Sequence, residues 1–415
     1  MKIMTLSEFD EKKPSLSDPL PTEIVRKILD DVKERGDGAV LDYSKKFDGV
    51  SEKDFEITKE QVKAAFHQAG SAALKALKTA ASSITKFSKL QAAQLKSFSI
   101  KKNGCTIGQK VIPLARVGCY VPGGRYPLPS SALMSIIPAK VASVQEIIVC
   151  SPNIKPVTLV AASLAGATRI FSIGGAQAIG AMAYGTKTVP KVEKIVGPGN
   201  KYVAAAKKEV YGIVGIDFIA GPTELLIIAD STANPRFIAA DLLAQAEHDS
   251  EAQVYLVTDS RKLADEVNLE LERQLKSLST NTVATLSLRN GSIVIVSTLH
   301  QAASLANEIA PEHLELQVKN PDDISPALRN YGSLFIGMSA AEVFGDYCAG
   351  INHILPTGGC SRYVGGLSVR DFVKVQTFLD CREKATREMV DTAMTLAKIE
   401  GLEGHRKSAE LRGRR

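Results

Sequence analysis

Glu312 and His313 stand side by side in the stretch APEHLEL, between an amphipathic helical pattern over residues 299–309 and the strand-like run LELQV. Pro311 disfavours helical geometry at Ala310, so the helix is expected to stop there and leave the pair on the turn that enters the strand. Adjacent side chains diverge by about 100° on a helix and about 180° on a strand, whereas a turn lets both serve one cleft. A neutral imidazole beside a carboxylate is the minimum equipment for proton transfer near neutral pH. Glu-His is a common dipeptide, and a solvated strand end competes with this reading.

A second set of residues could hold a metal. Gln245 and His248 are three residues apart on a helical run over 236–249 and share one face. Asp346 and His353 flank the loop GDYCAGINH, and His405 follows EGLEG near the end of the chain. Imidazole, carboxylate and side-chain amide all suit a borderline cation such as Zn²⁺, although the spacing alone does not make a metal site. His67, inside a helical run, and His300, at the start of one, read as structural or surface residues.

The elements that must position these groups alternate. Residues 21–34, 39–47 and the long run 61–96 read as helices and carry no evident chemistry. From Val111 the texture becomes α/β, with strands at 117–121, 146–150, 169–173, 194–196, 225–230, 253–257, 292–296 and 333–336 and helices between them. That alternation argues for parallel sheets covered by helices. After Gly366 the pattern over 370–398 reads as helical again. Three strands end in glycine-rich turns: Pro122-Gly123-Gly124, Gly174-Gly175 and Gly197-Pro198-Gly199-Asn200. Ligands on such sheets bind outside the carboxyl ends of the strands, where glycine lets backbone N–H groups approach phosphate. None of the turns matches G-x-G-x-x-G, and plain tight turns remain the competing reading.

The totals narrow the class. A chain of 415 residues holds two or more domains. Its net charge of +6 is spread out, densest in a basic tail that ends in Arg412, Arg414 and Arg415, and it has no Trp and 6% aromatic content, unlike a nucleic-acid binder with a basic stripe and interleaved aromatics. No run of 18 apolar residues and no signal-like N-terminus occurs, so neither membrane nor nucleic acid is expected as a partner. Six cysteines without paired rhythm suit a reducing compartment, and a cytoplasmic location is the expectation.

Eight stretches, in order, resemble the histidinol dehydrogenase family: VGCYVPGGRYPLPSSALMSIIPAKVA, GGAQAIGAMAYG, VGPGNKYVAAAK, IDFIAGPTELLIIAD, DLLAQAEHD, APEHLEL, GDYCAGINHILPT and EGLEGHRKSAELR. The resemblance implies a zinc- and NAD-dependent four-electron oxidation of L-histidinol, through bound L-histidinaldehyde, to L-histidine. It implies Glu312 and His313 as the acid–base pair, with His313 the general base and Glu312 activating water. Gln245, His248, Asp346 and His405 match zinc ligands, one ion per subunit. The substrate-binding set comprises Thr223, His353 and Glu400 together with those four ligands and His313. Tyr120, Gln177 and Asn200 match NAD contacts and fall at the three glycine-rich strand ends. The implied fold class is α/β. It consists of two incomplete Rossmann-like domains with small helical N- and C-terminal segments, exchanged in a homodimer with shared active sites. Residues 1–20 would form the N-terminal segment, 21–119 with 230–366 the first domain carrying the catalytic residues, 120–229 the NAD-binding domain, and 367–415 the segment completing the partner's site. The loop over 358–363 is less typical of the family. A paralogue oxidising another small polar alcohol is the alternative within enzymes, and a binding protein that keeps only the fold is the alternative outside them.

Overall fold

In the computed structural model the segment ELLIIA, Glu224–Ala229, is buried at every position. A strand that is apolar on both faces needs cover on both faces, which is the condition of an interior strand in a parallel sheet. It lies inside a six-stranded parallel sheet, between Gln253–Thr258 on one side and His313–Gln317 on the other. Ser292–Ile295 and Lys2–Thr5 extend the sheet beyond the first neighbour, and Ser333–Ile336 closes it beyond the second. A five-stranded parallel sheet has the order Arg169–Phe171, Glu146–Cys150, Arg116–Tyr120, Lys194–Val196, Gly215–Ile216. The structure describes residues 1–11, 20–49, 55–102, 104–123, 126–382 and 386–413. Gly124 of the first glycine turn and Arg414 and Arg415 of the basic tail lie outside them.

The mixed α/β class with parallel sheets is as the alternation predicts. Four details differ from the sequence reading. The run 61–96 is two helices, Lys59–Gln68 and Ser71–Gln94, parted at Gly70. The N-terminal segment is not simply helical: Lys2–Thr5 is an edge strand, too short for its alternation to be read before its partner Ser292–Ile295 is known. The stretch expected as helix after Gly366 contains the strand Val373–Asp380, antiparallel to Cys105–Pro113. Val373 and Val375 alternate with Lys374 and Gln376, and the β-branched and aromatic residues Val373, Val375, Thr377 and Phe378 favour a strand. That pairing sets Thr106 against Asp380, so Cys105 and Cys381 meet one step further on and are bridged, although 276 positions separate them. Cysteine spacing shows nothing of this, because the proximity comes from strand register.

The sheets also divide the chain at a different place from the expected boundaries. Arg116–Tyr120 is central in the five-stranded sheet, and Glu224–Ala229 belongs to the six-stranded one. The helices Thr22–Arg35 and Asp37–Asp48 pack on Gly175–Tyr184 in the five-stranded half, with Val25, Leu29 and Val32 in the same core as Ile179 and Met182. Among the described residues no helix is long and apolar enough to cross a membrane.

Candidate active site

The helix Leu299–Ile309 ends where Pro311 requires, with Ala310 as its C-cap in the left-handed region at φ 54°. The chain turns through Pro311 and Glu312 and enters the strand at His313. Gly332 lies so close beneath this turn that a Cβ there would stand 2.5 Å from the Glu312 carbonyl oxygen. Both side chains of the pair are buried. The neighbouring strand holds them: Glu312 Oε2 accepts from the Glu224 N–H at 3.0 Å and from the Thr223 hydroxyl, and His313 Nδ1 lies 3.2 Å from the Glu224 carbonyl oxygen. A carbonyl only accepts, so Nδ1 carries the proton and Nε2 the lone pair. That Nε2 is buried and has no hydrogen-bond partner.

Around the imidazole stand Glu342 Oε1, 3.7 Å from Nδ1, and Asp346 Oδ1, 3.8 Å from Nε2, both beyond hydrogen-bond reach. His313, Glu342 and Asp346 offer ligand atoms all within 4.8 Å of one another. Asp346 also receives His353, whose Nδ1 lies 3.1 Å from its carbonyl oxygen, while Ser131 Oγ is 3.4 Å from His353 Nε2. Gln245 is fully buried and donates to Thr223 Oγ1; with its amide turned over, its nitrogen reaches the Glu342 carboxyl instead. Thr223 therefore links Gln245 to Glu312. His248 is exposed just past the end of the same helix.

Burial dominates the electrostatics. It lowers His313 to about 4, so the ring is neutral at physiological pH, and it also lowers His353. It raises the Glu312 carboxyl well above its usual range, against the Thr223 and Glu224 hydrogen bonds that favour the anion. Burial likewise raises Glu342, reinforced by the neighbouring Asp346 and Glu315, and lifts Glu224 to about 7. The less typical loop is fastened to the same place, since Gly358 N donates to Glu224 Oε1 at 3.0 Å and Ser361 Oγ to the Pro311 carbonyl at 3.3 Å.

This arrangement pairs a buried neutral base with a protonatable carboxyl and a set of metal-competent side chains. The family model for histidinol dehydrogenase matches residues 12–413. A histidinol dehydrogenase of Bacillus thuringiensis is 46% identical over 99% of this chain and 97% of its own length. The chain belongs to the histidinol dehydrogenase family. It is thus an oxidoreductase. The crystal structure of histidinol dehydrogenase from Elizabethkingia anophelis, 35% identical, superposes with a TM-score of 0.92 over 99% of this chain and 97% of that one. An acetylating aldehyde dehydrogenase from Geobacillus thermoglucosidasius, 14% identical over 86% and 96% of the two chains, shares the fold at a TM-score of 0.51.

Of the residues that family resemblance singles out, Thr223, Gln245, Glu312, His313, Asp346 and His353 converge in one pocket, with His248 at its margin. Glu400 and His405 do not join them. Both are exposed, one just past the helix Arg387–Ile399 and the other in Glu403–Gly413, and these two helices pack on each other. Tyr120, Gln177 and Asn200 lie at the carboxyl end of the five-stranded sheet. Tyr120 Oη accepts from Gly175 N at 3.1 Å, Gln177 is buried with its carbonyl oxygen unpartnered, and Asn200 caps Lys201–Val210 by accepting from the backbone N–H of Tyr202 and Val203. Gly197 has φ 116° and approaches the Tyr120 carbonyl so closely that no Cβ fits. A cleft of roughly 240 Å³, lined in part by Asp48, Gly123, Ser151 and Pro152, opens beside these turns. Sequence reading missed Glu342, Glu224 and Ser131. Glu342 sits four residues before Asp346 on one short helix, Glu342–Tyr347, and that spacing was the available signal.

Proposed function

We propose that this protein oxidises L-histidinol to L-histidine through bound L-histidinaldehyde, using NAD as hydride acceptor and a zinc ion as substrate anchor. The observation that carries the reading is the commitment of His313 Nδ1 to the Glu224 carbonyl, which leaves Nε2 as a buried, unpartnered base facing Asp346. The donor set fits a divalent cation: the Gln245 amide and the Asp346 carboxylate are buried around the imidazole base, the His248 imidazole stands at their margin, and Gln245, His248 and Asp346 would hold the ion. When bound, zinc supplies a fixed anchor for the amino and imidazole nitrogens of the substrate, and NAD⁺ supplies the hydride acceptor.

The protein's own groups do the rest. His313, kept neutral by burial, takes the alcohol proton as hydride leaves the carbinol carbon for NAD⁺. Glu312, held at Oε2 by Thr223 and Glu224, removes a proton from the water that adds to the aldehyde. His313, having returned its first proton to the carbonyl oxygen as the water adds, is neutral again and takes the proton of the resulting diol in the second oxidation, for which a second NAD⁺ would supply the hydride acceptor. The balance is one histidinol, one water and two NAD⁺ to one histidine, as its carboxylate, two NADH and three protons released to solvent. A closed pocket keeps the reactive amino-aldehyde from side reactions. The unpartnered Gln177 carbonyl oxygen, the Gly175 helix start and Asn200 support nucleotide binding at the five-stranded sheet. The partner subunit's Glu400 and the partner subunit's His405 complete the pocket in a homodimer whose terminal segments are exchanged.

The test is NADH formation from histidinol, set against other small polar alcohols, before and after chelation. Two NADH per histidinol, loss of activity with chelator, return with Zn²⁺ and unchanged circular dichroism are expected. A preference for another alcohol would move the reading to a paralogue. Unfolding together with metal loss would make the ion structural.

A further inference from the structure

Behind the pocket lies a second buried polar cluster that the chemistry above does not use. Gln317 Nε2 donates to Glu315 Oε2 at 2.7 Å and to Asp241 Oδ2 at 3.0 Å, so one amide group bridges the two carboxyls. The other Glu315 oxygen, Oε1, accepts from the backbone N–H of Glu342 at 3.0 Å. Asp241, Glu315 and Gln317 are all buried, Glu315 to 1% exposure. Groups of this kind are costly to bury unless paired, so their place in the fold calls for a reason.

The reason is visible in the spacing. Asp241 lies one helical turn before Gln245 on Pro235–Ala246. Glu315 and Gln317 alternate with apolar Leu314 and Leu316 along His313–Gln317, on the face that His313 occupies. Glu342 opens the short helix whose next turn carries Asp346. Each of the three elements therefore contributes both to the cluster and to the pocket. The glutamate oxygen at the start of Glu342–Tyr347 also satisfies one of the N–H groups that a helix leaves without an internal partner.

We propose that Asp241, Glu315 and Gln317 are positioning residues that fix the mutual placement of Gln245, His313 and Asp346, and so set metal affinity and substrate alignment. This rests on the functional reading above. It is distinct from a contribution to stability alone, because the hydrogen bonds cross between the three elements that carry the site.

Glu315→Ala removes both sets of bonds. Glu315→Gln keeps the Glu342 N bond through its amide oxygen, and its NH₂ meets Gln317 once that neighbouring amide turns over to offer its unpartnered Oε1. Binding of Co²⁺ or Zn²⁺ alone, measured by competition with a chromophoric chelator, is expected to weaken about 10- to 100-fold in Glu315→Ala, the usual loss for groups that orient metal ligands. The histidinol KM should rise with it, and Glu315→Gln should restore both to within a few-fold of the starting protein. If Glu315→Ala does not fold, Gln317→Met tests the bonds to Glu315 and Asp241 with little change in volume and leaves the Glu342 N bond in place. A variant that loses melting temperature while keeping metal affinity and KM would overturn the proposal. If the unaltered protein binds neither metal, the functional reading fails instead. The imidazole NMR signals of His313 in metal-free protein then decide: they must shift in Glu315→Ala and not in Glu315→Gln, and unshifted signals sink the proposal.

Discussion

The pocket around His313 and the C-terminal helices that carry Glu400 and His405 are built on opposite terms. Glu312, His313, Gln245, Glu342 and Asp346 are all buried within one chain, and the first four are hydrogen-bonded to neighbouring segments. In the C-terminal pair, Arg387–Ile399 buries only Val390 and Ala397, and Glu403–Gly413 buries nothing. Leu396, Ile399, Leu402 and Leu411 stay exposed there, Ile399 at 76%. Exposed apolar side chains concentrated on one segment mark a surface that finds its cover elsewhere. The contrast teaches that the Glu312–His313 pair is held inside the chain, whereas on the proposed reading His405 and Glu400 act only where two chains meet.

The largest effect belongs to the buried pair. His313→Asn replaces the base with an amide that takes no proton and should cost both oxidations about 10²- to 10⁴-fold in kcat. Glu312→Gln should hurt aldehyde oxidation more than alcohol oxidation, because only the former needs an activated water. Turnover measured separately with histidinol and histidinaldehyde separates the two, and equal losses in Glu312→Gln would defeat the division of labour.

The proposed meeting of two chains is tested by complementation. Co-expressed His313→Asn and His405→Ala chains form mixed dimers in which one site carries both defects and the other none. Random pairing makes half of the dimers mixed, so about a quarter of the unaltered activity should return in a closed two-fold dimer. If each chain builds its own site, every site is defective, and a mixture shown to contain mixed dimers stays inactive.

How much of this the sequence disclosed depends on the range of the interaction. Pro311 acts on its neighbour, so the end of the helix before Glu312 was legible. The apolar run at 224–229 and the glycine-rich strand ends were legible as well, because their signals are local. The strand Lys2–Thr5, the Cys105–Cys381 bridge and the role of Glu342 were not, since each depends on which distant segment lies alongside. Glu315 and Gln317 illustrate the limit. They read as the polar side of a half-exposed strand, and only the helices Pro235–Ala246 and Glu342–Tyr347 packed over them turn that face inward.

That inward face also leaves a small mark on stability. Burial, with the neighbouring Asp241 next in weight, raises Glu315 to about 8, and burial raises Asp241 to about 6. Between the ordinary glutamate value of 4.5 and about 8, folded Glu315 keeps a proton that the unfolded chain has released. The folded state binds more protons in that window, so its stability falls as pH rises and levels off above about 8. Glu312 and Glu342 bend the profile the same way, so the absolute curve does not isolate Glu315. The difference in pH dependence between the unaltered protein and Glu315→Gln does, because the amide is neutral like the protonated acid and does not titrate. Denaturant unfolding at pH 5.5 and 8.5, flanking most of the window, should show the variant gaining on the unaltered protein by roughly 1–3 kcal/mol at the higher pH, a value reduced from the full shift because the two carboxyls share their protons. Parallel profiles would mean that Glu315 is already ionised in the folded chain, and that Gln317 and the Glu342 N–H hold an anion rather than an acid.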